Sequence, residues 1–309
     1  MSQHSSAREA HGLDEYQRLL SLLNERRFEE AQVRARFLLE EADAGPLSRA
    51  KTHNLLCWTF IEGLKYATPE AVLHGEEAVR LANNLGERPL QLQAMCNLAS
   101  AYHQMGLYDQ SRKTYREIIV HLGADPTLVP SGLVIAYQGL AQLETIQGRH
   151  ADALYCLEQA LEHCRKEESS LLLADLYRRQ ALVLLRLGRH EEAAQVQSQI
   201  QEHVVTSGPR SLWWKTHLSF SRARIELACG HWPQARTLAT NALALARELG
   251  DMPVVAECTC LLALIDQAEG RREAAKRARK ALTLAIHSGR RDVVDEVQDR
   301  LKDLLAYGI

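Results

Sequence analysis

Glycine recurs in this chain at a fixed long interval, and that recurrence leaves few folds open. Gly106, Gly148, Gly188, Gly230 and Gly270 are separated by 42, 40, 42 and 40 residues. Seven residues before each stands an alanine: Ala99, Ala141, Ala181, Ala223, Ala263. Five residues after each stands a small residue: Ser111, Ala153, Ala193, Ala235, Ala275. Two after each comes a larger side chain: Tyr108, His150, His190, Trp232, Arg272. Around the first glycine, Met95, Leu98, Ala99 and Tyr102 precede the turn at helical spacing, and Ser111, Tyr115 and Ile118 follow it. Each unit therefore reads as two helices joined by a tight turn. Glycine just past a helix end reverses the chain in the left-handed conformation without a Cβ clash. The small residues let the two helices approach closely, where a larger side chain would cost about 1–3 kcal/mol in overpacking. Each hairpin leaves an apolar face uncovered, so hairpins stack in series.

Such an array grows along one axis, so 309 residues need not mean two globular domains. Apolar residues make up 46% of the chain and aromatic ones only 6%, which suits a soluble helical protein. A net charge of −2 gives no reason to expect nucleic acid or an anionic membrane as partner. No apolar run is long enough to span a bilayer. The opening MSQHSSAREAHG lacks the apolar core of a secretory signal, so the expected address is cytoplasmic. Seven cysteines carry no CxxC pair and read as small reduced core residues, not metal ligands or disulfides.

In chain order, residues 1–12 read as a disordered polar tail, 13–290 as seven repeats, and 291–309 as a capping helix. The second repeat matches the pattern worst. Its Thr68–Pro69–Glu70 reads as a helix start, and Ala71, Gly75 and Ala78 predict a close helix contact. Acids recur four residues before the glycine at Glu144, Glu226 and Asp266, and read as ion pairs between helices. Trp213 and Trp214 cannot share one helix face, so one is expected buried and the other partly exposed. Asp251 reads as an N-cap, and Val293, Val297, Leu301 and Leu304 give the last helix one apolar side.

The segment AMCNLASAYHQMGLYDQSRKTYREI, Ala94 to Ile118, and its repeats resemble the tetratricopeptide repeat. The resemblance covers residues 13 to about 290. It implies an all-α solenoid, a right-handed superhelix of antiparallel helix hairpins. Repeats near 40 residues, with segments such as ALARELGD, resemble the bacterial subclass found in the sensory arrays of maltose-regulator-type activators and in peptide-pheromone receptors. About twelve residues precede the array, so no direct nucleic-acid role is expected.

The resemblance also implies that the first helix of each repeat lines a concave groove where peptides or partner helices lie. On the face of those helices opposite the packing set stand Asn97 and Ser100, Gln138 and Gln142, Arg178 and Arg179, and Phe220 and Arg224. The amides supply donors and acceptors to a peptide backbone. The arginines suit a carboxylate, and Phe220 suits an apolar pocket wall. The expected partner is a protein or peptide, acidic or presenting a C-terminal carboxylate.

No phosphate-binding GxxxxGKS loop, HExxH or GxSxG turn is present. The chain is read as a non-enzyme, with no catalytic, cofactor-binding or metal-binding residues and no cofactor. Three readings follow: an adaptor that captures a peptide or partner segment; a peptide or small-ligand sensor acting on a separate effector; and a homo-oligomeric assembly whose groove holds another copy.

Overall fold

The structure is a computed structural model that describes residues 2–25, 27–41, 44–62, 68–129, 131–167, 170–203 and 211–306. Among them are fifteen α-helices and one 3-10 turn, with no strand. In order they are α1 (Ser2–Asn24), α2 (Phe28–Glu40), α3 (Pro46–Glu62), α4 (Pro69–Leu85), α5 (Arg88–Gln104), α6 (Tyr108–Ala124), α7 (Gly132–Ile146), α8 (His150–Glu167), α9 (Ser170–Arg186), α10 (His190–His203), α11 (Ser211–Ala228), α12 (Trp232–Glu248), α13 (Met252–Ala268), α14 (Ala274–His287) and α15 (Arg291–Ala306). Odd-numbered helices lead and even-numbered helices trail. The chain divides into two compact units, residues 1–139 and 140–309.

The turns form as the glycine spacing predicts. Gly106, Gly148, Gly188, Gly230 and Gly270 have φ between 68° and 79°. The amide after each glycine donates back across the turn, as from Leu107 to the Tyr102 carbonyl at 2.8 Å and from Arg149 to the Glu144 carbonyl at 2.9 Å. This is the six-residue closure that satisfies helix-end carbonyls.

The trailing helices bury one narrow stripe at steps of four, three and four residues. It reads Ala71, Gly75, Ala78, Ala82 in α4; Ser111, Tyr115, Ile118, Leu122 in α6; and Ala235, Ala239, Ala242, Ala246 in α12. At 100° per residue these four lie within about 60° of arc, a seam against the neighbouring leading helices. Gly75 makes the predicted close contact, since a Cβ there would lie 3.0 Å from Leu98 and 3.1 Å from the Cys57 sulfur. Ser111 fits a seam of alanines because its hydroxyl donates to the Ala99 carbonyl at 2.8 Å. In the second unit α13 is buried nearly all round, with Val254, Val255, Cys258, Leu261, Leu262 and Ile265 in the core.

Three expectations need correction. The residues read as a disordered tail are helical, because α1 begins at Ser2. Ala7, Arg8, Glu9 and Ala10 are good helix formers. Gly12 then packs so closely on α3 that a Cβ would sit 2.5 Å from the Ser48 hydroxyl oxygen. The last repeat slips by one residue. Its buried stripe is Ala274, Ala278, Ala281 and Ala285, so Ala274 and not Ala275 fills the small position. The turn over Arg271–Glu273 is longer there, and α14 starts four residues after Gly270 where α6, α8, α10 and α12 start two residues after their glycines. Glu226 pairs with His231 at 2.8 Å within its own turn, not with a neighbouring helix.

A second close glycine lies outside the turns. A Cβ on Gly139 would fall 2.2 to 2.6 Å from the ring and hydroxyl of Tyr115, which is 3% exposed. Gly139→Ala gains about 1 kcal/mol of helix propensity and loses about 1–3 kcal/mol to overpacking. A net destabilisation is expected by urea unfolding. Gly123→Ala, where nothing lies within 4 Å, should instead be neutral or stabilising.

Candidate functional site

The leading helices carry the candidate site, and each unit is taken alone. In the first unit Asn97 on α5 donates from Nδ2 to the Asn54 Oδ1 on α3, at 2.8 Å. Ser100, one turn on, donates to the Cys96 carbonyl at 3.0 Å, and its oxygen lies 3.1 Å from the Tyr115 hydroxyl. Gln138 is half-buried on α7. Asn97 and Ser100 are also half-buried, so each keeps part of its polar surface in reach of solvent.

In the second unit Gln142 accepts from Arg179 Nη1 at 3.3 Å. Arg179 also donates to Asp175 Oδ2 at 2.8 Å, while Arg178 holds Asp175 Oδ1 with two bonds of 3.0 and 2.7 Å. Burial pushes the Asp175 carboxyl up, but Arg179 and Arg178 overcome this and hold it below the usual range. Beside them His217 lies partly buried on α11, its ring 4.0 Å from that of Trp213. Burial, reinforced by Arg178 and Arg179 and opposed by Asp175, pushes His217 down to about 3. It is therefore neutral at neutral pH. Trp214 is buried and Trp213 partly exposed, meeting edge-on at 4.9 Å, as the sequence predicts.

Phe220 does not stand on the open face. It is 2% exposed, belongs to the core of α11–α14, and is capped by the Arg224 guanidinium 5.7 Å from its ring centroid. Arg178 and Arg224 are each 8% exposed. Gln142 and Arg179 remain half-buried on the face.

Sequence reasoning missed two features. Asn54 carries the same register as Asn97, because Gly63 stands nine residues after it, as Gly106 does after Asn97. Gly63 itself lies outside the described residues. The second feature is the approach of α15. Glu296 Oε1 lies 3.5 Å from Arg186 on α9, 3.6 Å from Arg224 on α11 and 3.7 Å from Arg300 on its own helix. Asp299 lies 3.7 Å from Arg186. Burial lowers the Arg224 pKa, Arg300 adds to this, and Glu296 opposes it.

Six cysteines are buried and Cys229 is exposed. Burial pushes Cys57 and Cys96 up to about 12, which makes them inert thiols. Among the described residues no group of three or more His, Cys, Asp or Glu side chains is placed to hold a metal ion. No described helix is long and apolar enough to cross a membrane.

Tetratricopeptide-repeat models match residues 92–119 and 133–202. Several solved structures share the fold. The apo form of RapI aligns over 95% of this chain and 99% of its own, at 11% identity and a TM-score of 0.68. The Rap conjugation gene regulator of plasmid pLS20, in complex with the Phr* peptide, aligns over 97% and 79% at 13% identity and a TM-score of 0.70. NprR in complex with its cognate peptide NprX aligns over 96% and 88% at 15% identity and a TM-score of 0.63. At these identities the likeness is one of fold: an all-α helical solenoid of tetratricopeptide type.

Proposed function

We propose, from the premise that the chain is a tetratricopeptide-repeat protein, that it is a regulatory binding module whose leading helices hold an extended peptide or partner segment. The observation that carries this reading is the same in each unit: amide or guanidinium groups bonded across neighbouring leading helices. Asn54 bonds Asn97 across two successive leading helices, and Gln142 bonds Arg179 across the next such pair, with all but Asn54 half-buried. Polar side chains that touch one another there still have unused donors and acceptors, which a peptide backbone can match. The similarly folded pLS20 regulator and NprR are each in complex with a peptide, which supports a peptide as the partner. An adaptor and a sensor share this mode of binding. The absence of nucleotide-loop, metalloprotease and hydrolase motifs supports reading it as a non-enzyme.

The test is selection of hexapeptides from a random display library on the purified chain. Enriched peptides should bind at least about tenfold more weakly to Asn97→Ala and to Gln142→Ala, a loss of about 1.4 kcal/mol for one well-placed amide. Both substitutions remove half-buried groups, so the fold should survive. Enrichment no better than on bare matrix, or peptides indifferent to both substitutions, would refute the reading.

A further inference from the structure

We infer that Arg186, Arg224 and Arg300 form a carboxylate-recognition site in the second unit, and that Glu296 occupies it as an internal stand-in which a ligand's carboxylate replaces. The inference rests on the peptide-binding reading above and deepens it.

Two other ion-pair groups in this unit, both with a buried member, are closed. Arg178 and Arg179 hold Asp175 at 2.7 to 3.0 Å, and Arg290 holds Asp292 with a bond of 3.0 Å and a shorter one. The three arginines around Glu296 are different. Their nearest approaches to its carboxylate are 3.5, 3.6 and 3.7 Å, outside hydrogen-bond range. Three guanidiniums from three helices thus surround one carboxylate without closing on it. Arg224 and Arg300 are largely buried, with side chains 8% and 11% exposed, so water screens them poorly.

The local charge balance favours a second anion. Asp299 also faces Arg186 but is 64% exposed, and counts for little. Glu257, on α13, feels the charges of Glu296 and Arg224. Burial, and then the charge of Glu296, pushes it up to about 7, so near neutral pH much of it is uncharged. Three guanidiniums thus face one enclosed carboxylate with Glu296 in place.

Burial pushes the Glu296 carboxyl up, but Arg224, Arg300 and Arg186 hold it low, so the stand-in leaves when a ligand carboxylate takes over those partners. The Glu296 side chain is 30% exposed, so a rotamer change carries its carboxylate toward water. The helix itself need not move, because α15 is anchored on its other side by Val293, Val297 and Leu301 in the core with α13 and α14. A ligand carboxylate that brings two well-directed oxygens can make the bidentate bonds that Glu296 does not.

The experiment uses three dansyl-labelled Gly-Ser hexapeptides and the full chain at low salt. One ends in a free carboxylate, one is its C-terminal amide, and one is that amide carrying a single Glu. Glu296→Gln keeps the shape of the side chain and removes its charge. It should tighten the carboxylate-bearing peptides by about tenfold and leave the neutral amide unchanged. Adding Arg224→Gln should abolish the gain. Whether the free terminus or the Glu side chain gains more identifies the source of the carboxylate. If Glu296→Gln binds all three peptides as the parent does, the stand-in is refuted while peptide binding stands. If no peptide binds either protein, the carboxylate site is refuted, and the peptide-binding reading stands or falls on the library selection alone.

Discussion

Removing Arg236 and Arg277 together is expected to destabilise the second unit by about 3–5 kcal/mol, whereas Asp266→Ala alone should cost less. Asp266 is 1% exposed on α13 and ties three helices. Arg236 from α12 lies 2.7 Å from one carboxylate oxygen, and Arg277 from α14 lies 2.7 Å from the other. The asymmetry lies in what is stranded. Without Asp266, Arg236 keeps Glu269 at 2.7 Å, and Arg277 is one third exposed and can reach water. Without both arginines, a carboxylate is left charged inside the core, the costlier outcome. Adding Asp266→Ala to the double arginine variant should therefore recover part of the loss. Urea unfolding of the four proteins decides this. Asp266→Ala costing as much as the double variant, with no recovery in the triple, would refute it.

Asp266 also shows how far the sequence could be read. Acids four residues before the glycine were expected as ion pairs, and all three pair. Glu144 meets Arg149 in its own turn, Glu226 meets His231, and Asp266 bridges separate helices. Spacing fixes which face a side chain leaves from; it does not fix which neighbour arrives. The hairpins, turns and small-residue seams were legible because each is decided within about forty residues by glycine, alanine and helical period. The slip at Arg271–Glu273 was not, since adjacent Ala274 and Ala275 leave the alanine-rich run readable in either register.

The candidate face was legible only in part. Asn97, Ser100, Gln138, Gln142 and Arg179 fall half-buried on the leading helices. Phe220 and Arg224 share that helical register but are covered, Phe220 by the core and Arg224 by the approach of α15. Arg224 and Glu296 lie far apart in sequence, and no local period announces their meeting. The net charge of −2 likewise conceals three guanidiniums around one carboxylate.

Acidification from pH 7 to 5 should affect the two units differently, because their buried titrating groups differ in kind. In the first unit His53 and His74 place their Nδ1 atoms 2.9 Å apart across α3 and α4. Burial, His74 and the nearby Arg49 and Arg80 push His53 down to about 4, against an opposing Glu77. Burial and Arg36 lower His74, against Glu70. The unfolded chain takes up these protons near pH 6.5 while the folded chain resists. Stability therefore falls as pH drops below 6.5, by at most about 1.4 kcal/mol per pH unit for each histidine. In the second unit His217, held down to about 3, acts in the same direction. Glu257 opposes it: raised to about 7, it takes up a proton on the folded chain well before the unfolded one, so acidification between pH 7 and about 4.5 stabilises. Asp175 stays out of this window, because a depressed carboxyl loses its contribution only below the ordinary Asp range. Trp58 is the first unit's single tryptophan, so in a Trp58→Phe background the fluorescence of Trp213, Trp214 and Trp232 reports on the second unit alone. Its urea midpoint should change little between pH 7 and 5. His217→Gln should make it rise on acidification, and Glu257→Gln should make it fall. A midpoint whose pH dependence ignores both substitutions would show that neither group keeps its buried, shifted state in solution.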